Sequence, residues 1–327
     1  MSDQSHQTSP PSQTIDPYKH LNIIRTSNNT ITRLHQVPYT SPSSDPTLPI
    51  TVLTKDITIN QTNKTWVRLF LPNKPISNDH HKLPLIVFFH GSGFIVASAG
   101  STMFHDFCVK MVDEIGVFVV SVEYRLAPEH RLPAAYDDAM EALFWIRNSD
   151  DEWLRCYVDY SKCYLMGKSA GATIAYHAGL RAVEVVKDLE PLKIQGLILR
   201  QPFFGGKERT KSELKLENDQ ILPLCVTDLM WELALPIGAD RDHEYCNPRV
   251  GNSFEKFDKI RDLEWKVLVS GNGGDPVVDR EKELAQLMEE KGVHVVKDFD
   301  EDGCHGIEYY DPLKAKKLIE LIKGFIS

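Results

Sequence analysis

Little in this sequence points toward a membrane, a metal or a nucleic acid. Its six cysteines (Cys108, Cys156, Cys163, Cys225, Cys246, Cys304) include no C-x-x-C pair and no metal-type spacing, and the chain is too long for a disulfide-stapled miniature. Reduced thiols in the cytoplasm are the simplest expectation, with no metal and no organic cofactor. No apolar run approaches the roughly 18 residues of a membrane span. Residues 1–15, rich in Ser, Gln, Thr and Pro, lack the basic and apolar regions of a signal peptide, so the sequons at Asn28, Asn60 and Asn63 are expected to be unused. Excess positive charge is missing too. The formal net charge of −9 disfavours phosphate backbones and anionic lipid as partners, leaving a neutral or cationic small molecule.

What is present suits a soluble α/β domain with an insertion. The 327 residues exceed the usual single domain, yet one unit with a cap accommodates them. Residues 1 to about 18 are polar and proline-bearing, with too little apolar surface to offset the entropy of ordering, and read as a disordered tail. Leu21 to Leu34 reads as a hairpin turning at Ser27-Asn28-Asn29. Asp56–Asn60 and Trp66–Leu71 alternate as half-buried antiparallel strands do, whereas Leu85–Phe89 and Val117–Val122 are continuous apolar runs suited to parallel strands buried on both faces. Further strands are expected at 162–166, 194–199, 267–270 and 293–299, with helices at 101–115, 133–148, 170–187, 228–235, 280–291 and 311–326. Residues 205–260 break this rhythm and, with about 19–50, are expected to form a cap over the carboxyl end of the sheet.

The chemistry is expected where strand 162–166 meets helix 170–187, at Gly167-Lys168-Ser169-Ala170-Gly171. Glycines two residues either side of a serine let the chain turn sharply between strand and helix and present the hydroxyl, as in a nucleophile elbow. A capping serine in a tight turn is the plainer alternative. His90-Gly91-Ser92-Gly93-Phe94, directly after strand 85–89, has the small residues that let backbone N–H groups reach a ligand. With the residue after the nucleophile, this assigns Gly91, Ser92 and Ala170 as oxyanion donors. His90 itself supports that loop. Of the later histidines, His177 lies in a helix, His243 in the cap and His294 in a strand. His305, between Cys304 and Gly306 in a strand-to-helix loop, is the expected base. Asp275, after strand 267–270 and a glycine run, is the expected acid at the same edge of the sheet, with Asp279 the nearest rival.

These motifs, together with Glu123-Tyr124-Arg125-Leu126-Ala127-Pro128-Glu129-His130-Arg131-Leu132-Pro133-Ala134-Ala135-Tyr136-Asp137-Asp138 and Gly274-Asp275-Pro276, resemble the plant carboxylesterases of the hormone-sensitive-lipase-like branch of the α/β-hydrolases over nearly the whole chain from about residue 18. The resemblance implies an α/β-hydrolase fold, an eight-stranded mostly parallel sheet under a cap. It implies hydrolysis of methyl or acetyl esters of small plant metabolites, alkaloids among them, with decarboxylation able to follow methyl ester cleavage. Lyases and gibberellin-receptor-type binding proteins share the fold; receptors lack the catalytic histidine. Four positions depart from the pattern. Lys168 replaces an acidic residue, either tuning the substrate or lying solvated; Ser92 replaces a glycine; Ala172-Thr173 replaces Gly-Asn; Cys304 replaces an aromatic residue at the pocket wall.

Overall fold

Strands β3 (Val52–Asn60), β4 (Thr65–Pro72), β5 (Leu83–Phe89), β6 (Phe118–Glu123), β7 (Val158–Lys168), β8 (Ile194–Arg200), β9 (Lys266–Asn272) and β10 (His294–Asp300) form one sheet in the order β10-β9-β8-β7-β5-β6-β4-β3. The computed structural model describes residues 15–27, 30–73, 82–251 and 253–327. β3 pairs antiparallel with β4 and β4 with β6, and every pairing from β6 through β5 to β10 is parallel. The α/β-hydrolase fold is thus present, with the expected change from antiparallel to parallel.

Continuous apolar strands let the sheet carry a core on each side. Leu85, Val87 and Phe89 of β5 face one cluster, and Ile86 and Phe88 face the other, because successive side chains of a strand point to opposite faces. Helices α2 (Thr102–Ile115) and α10 (Pro312–Ile326) cover the second face. On the first lie α3 (Ala134–Asn148), α5 (Ala170–Ala182) and α9 (Val278–Glu290). α5 stops at Ala182 rather than Lys187, where the β-branched Val183, Val185 and Val186 disfavour continuation.

The N-terminal segment contributes α1 (Pro17–His20), capped by Asp16, and a small hairpin of β1 (Ile23–Arg25) with β2 (Ile31–Arg33). Residues 1–14 of the expected tail and the Asn28-Asn29 turn lie outside the described residues, whereas Asp16 caps α1 and Pro17 and Tyr18 belong to it. Residues 205–260 include α6 (Lys211–Lys215), α7 (Leu224–Ala234) and most of α8 (Ser253–Asp262), the last packed on α5 through buried Phe257 and Ile260. A short α4 (Glu152–Tyr157) precedes β7. No helix among the described residues is long and apolar enough to cross a membrane.

Candidate active site

β7 delivers Lys168 to the carboxyl edge of the sheet, and the chain reverses into α5 through Ser169 at φ 53° and ψ −124°. That conformation is costly for a side chain with a Cβ, and steric crowding imposes it here. A Cβ on Gly167 would lie 2.0 Å from Gly171 O, and one on Gly171 would lie 2.0 Å from Phe89 O. Both glycines are therefore required for the elbow to pack against the end of β5. Ser169 makes no side-chain capping bond to α5. Its Oγ instead lies 2.9 Å from His305 Nε2.

His305 sits in the loop after β10, and its Nδ1–H donates to Asp275 Oδ2 at 2.7 Å. Asp275, fully buried, also accepts from Gln201 Nε2 at 2.6 Å and from Val277 N at 3.1 Å. Ser169, His305 and Asp275 are thus brought together from the ends of β7, β10 and β9. Asp279 is directed elsewhere, accepting from Ser212 N at 2.8 Å. His177 is buried and stacked on Tyr136 with ring centroids 4.3 Å apart, so it packs rather than faces Ser169.

Gly91 touches the elbow: a Cβ there would lie 2.9 Å from Lys168 O and 3.3 Å from Ser169 Cβ. Ser92, Gly93 and Phe94 continue with φ of 77°, 64° and 66°, wrapping the loop round the space above Ser169. Among the described residues, the N–H groups of Gly91, Ser92 and Ala170 have no protein acceptor. His90 holds the loop from below. Its Nδ1–H donates to Gly91 O at 3.0 Å, its ring stacks on Tyr124 at 4.2 Å, and Tyr124 Oη donates to His90 O at 2.8 Å. Burial pulls the His90 imidazole down to about 4, so it is neutral at physiological pH.

The long motif after β6 braces the same region. Glu123 accepts from Ala99 N at 2.6 Å and Ser98 Oγ at 2.9 Å. Arg125 pairs with buried Asp138, and Glu129 with Arg33 of β2 at 2.9 Å. Arg33 also donates to Ile95 O and Ala127 O, tying the N-terminal hairpin to the loops beside the site.

Lys168 is not solvated. Its side chain is 4% exposed, its Nζ lies 2.5 Å from Glu308 Oε1, and the ammonium sits 3.5 Å from the centre of the Tyr309 ring. The solvated alternative fails because the strand end aims the side chain into the core beside α2. Glu308 pairs also with Arg200 at 3.0 Å. Burial pulls the Lys168 ammonium down to about 8 against the pull of Glu308. Burial alone would raise the Glu308 carboxyl, but Lys168 and Arg200 hold it well below the usual carboxylate range. Cys304 contributes its carbonyl, which accepts from Asn272 Nδ2 at 3.0 Å and Gln201 Nε2 at 3.3 Å, and it does not line the cavity described next.

Gln201, Arg200, Glu281 and Glu308 escape motif reading. The signal available for Gln201 is its position directly after β8, at the same carboxyl edge as Ser169, where it also accepts from Gly306 N at 2.8 Å. Above Ser169 lies a cavity of about 360 Å³, within the range of small-ligand sites. Leu21 and Val37 from the N-terminal segment, Met103 and Phe104 of α2, and Val226 and Met230 of α7 supply apolar walls. The described lining contains no Asp or Glu.

Comparison with known proteins agrees with this fold. A family model described as alpha/beta hydrolase fold matches residues 86–308. Carboxylesterase 20 of Arabidopsis thaliana is 50% identical over 97% of this chain and 98% of its own. 3-O-acetylpapaveroxine carboxylesterase CXE1 of Papaver somniferum is 46% identical over 95% of this chain and 97% of its own. An esterase of Pyrobaculum calidifontis superposes with a TM-score of 0.70 at 24% identity over 86% of both chains, a likeness of fold.

Proposed function

Because this chain belongs to the plant carboxylesterases of the α/β-hydrolase fold and is a carboxylic ester hydrolase, we propose that Ser169, His305 and Asp275 form its catalytic triad and that it cleaves a methyl or acetyl ester of a small plant specialised metabolite. The observation that carries this reading is the continuous hydrogen-bonded line from Ser169 Oγ through the His305 ring to Asp275.

His305 Nε2 takes the Ser169 proton as Oγ attacks the ester carbonyl, and the resulting imidazolium protonates the departing alkoxide. Asp275 fixes the tautomer that leaves Nε2 free to accept. The N–H groups of Gly91, Ser92 and Ala170 receive the oxyanion, each donor contributing on the order of 2.7–4 kcal/mol to the transition state. Water activated by His305 then releases the acid from Ser169. An acetyl ester yields acetate and the metabolite alcohol. A methyl ester yields methanol and a metabolite carboxylic acid, which can lose CO2 where a carbonyl lies β to it.

The cap is assigned to about 19–50 and 205–260, supported by the cavity walls drawn from both segments. Since the lining offers no carboxylate to a protonated amine, an alkaloid ester fits with its nitrogen uncharged or outside at the mouth. Six unpaired thiols suit a cytoplasmic location. The test is hydrolysis of p-nitrophenyl acetate and butyrate by wild type and Ser169→Ala, with mass spectrometry of the acyl adduct. The substitution is expected to lower kcat by about 10⁴- to 10⁶-fold and to abolish the adduct. Folded Ser169→Ala that retains turnover would overturn the assignment.

A further inference from the structure

Behind Asp275 stands a second carboxyl that the proposed mechanism does not use. Glu281, in the first turn of α9, is completely buried. A Cβ on Gly271 of β9 would lie 1.7 Å from its Oε2, so the carboxyl fills the space that this glycine leaves open. One oxygen each from Glu281 and Asp275 and a ring nitrogen of His305 lie within 4.8 Å of one another.

Among the described residues no cation makes an ion pair with Glu281, although Arg200 and Lys282 act on it from further off. Arg200, from the end of β8, spends Nε and Nη2 on Glu308. Arg280, its neighbour on α9, turns to Glu208 O and Glu213. Lys282 lies over the Phe299 ring of β10. Neither oxygen of Glu281 meets a protein donor among the described residues. Asp275, by contrast, already accepts from Gln201, Val277 and His305. Two buried carboxyls this close cannot readily both ionise, and the one with donors around it keeps the charge. Burial first, and then the charge of Asp275, push the Glu281 carboxyl well above its ordinary range.

We infer that Glu281 is a positioning residue held as a neutral carboxylic acid, which donates its proton in a hydrogen bond to Asp275 and so fixes that carboxylate and limits the negative charge felt by His305. The inference rests on the esterase reading above. The Glu281 proton forms no new covalent bond and stays on Glu281 throughout turnover.

The test compares wild type, Glu281→Gln and Glu281→Leu by pH profile of kcat/KM and by infrared difference spectroscopy near neutral pH. Gln keeps a neutral donor, so the acid limb is expected to stay in place. Leu removes the donor and leaves Asp275 a stronger partner for the imidazolium, so the acid limb is expected to move up by about one unit with KM unchanged. The wild type minus Glu281→Gln spectrum should contain the carbonyl band of a protonated carboxylic acid. An acid limb that moves down in Glu281→Gln would mean that the native group is ionised, overturning the proposal. So would a Glu281→Leu limb identical to wild type, the signature of packing alone, or absence of the band. If wild type lacks p-nitrophenyl ester turnover altogether, the esterase reading fails separately, and the infrared band alone decides whether the carboxyls share a proton.

Discussion

Ser92 holds a left-handed φ of 77° between Gly91 and Gly93, where its Cβ crowds the backbone. That conformation costs roughly 1–2 kcal/mol for a non-glycine residue, partly offset by the about 0.5–1 kcal/mol that glycine loses in greater unfolded freedom. Ser92→Gly is therefore expected to raise unfolding free energy by about 0.5–1 kcal/mol, measured by urea denaturation. The proposed oxyanion donor at this position is a backbone N–H, which glycine retains, so kcat should stay within a few-fold. A large fall in kcat would mean that the Ser92 hydroxyl, rather than its N–H, serves the site. The same geometry explains why Gly171 is not open to exchange: there the obstruction is the Phe89 carbonyl, backbone that cannot swing aside.

Between elements, one charge cluster joins the end of β7, the end of β8 and the turn that follows His305. Lys168 and Arg200 converge on Glu308, and all three are buried. Glu308 is three residues beyond His305, so this contact anchors the histidine loop to the serine elbow. Glu308→Gln leaves two buried cations facing a neutral amide and is expected to cost about 3–5 kcal/mol of stability. It should also lower kcat at temperatures where the variant is still folded. Urea denaturation together with kinetics on p-nitrophenyl acetate checks both, and unchanged stability would mean that the cluster is not a staple. Nothing in the sequence announces it. Glycine spacing made the elbow, the Gly91 loop and the strand ends readable, because steric necessity leaves a local signature. The partners of Lys168 are set by crossovers between distant strands, and periodicity cannot show which side chains meet at the sheet edge. Gln201 and Glu281 were invisible for the same reason. Short α6 lacks the repeats that reveal long amphipathic helices, and α8 carries few apolar residues, so neither was legible as a helix within 205–260, even though buried Phe257 of α8 packs in the main core.

Across the whole molecule, buried titratable groups of opposite kind set the pH dependence of stability. Burial pulls His90 down to about 4, and burial with nearby Arg181 pulls His177 down to about 3, from an ordinary 6.5. Between about pH 5 and 6 both are neutral when folded and largely charged when unfolded, so unfolding takes up close to two protons. In the same window Glu123, pushed up to about 7 by burial against its hydrogen bonds from Ala99 and Ser98, and Glu281, pushed well up by burial and Asp275, are protonated when folded and ionised when unfolded. Unfolding therefore releases about as many protons as it takes up, and stability should be nearly flat there. Below about pH 4.5 the unfolded carboxyls are protonated as well, and the opposing release disappears. The histidines then act alone, joined by Glu308, whose depressed carboxylate adds stability at higher pH that is lost on acidification. Near pH 4 His90 begins to take its own proton in the folded chain, so His177, Glu308 and the remainder of His90 carry the net uptake, and stability should fall by on the order of 2 kcal/mol per pH unit. Glu281→Gln removes one of the two compensating releases. Its stability should accordingly rise with pH between 5 and 6 by up to about 1.4 kcal/mol per unit, while wild type stays level. Urea midpoints at half-unit steps of pH for both proteins decide the matter, and a wild-type slope already rising through that window would show that the buried carboxyls are not protonated in the folded chain.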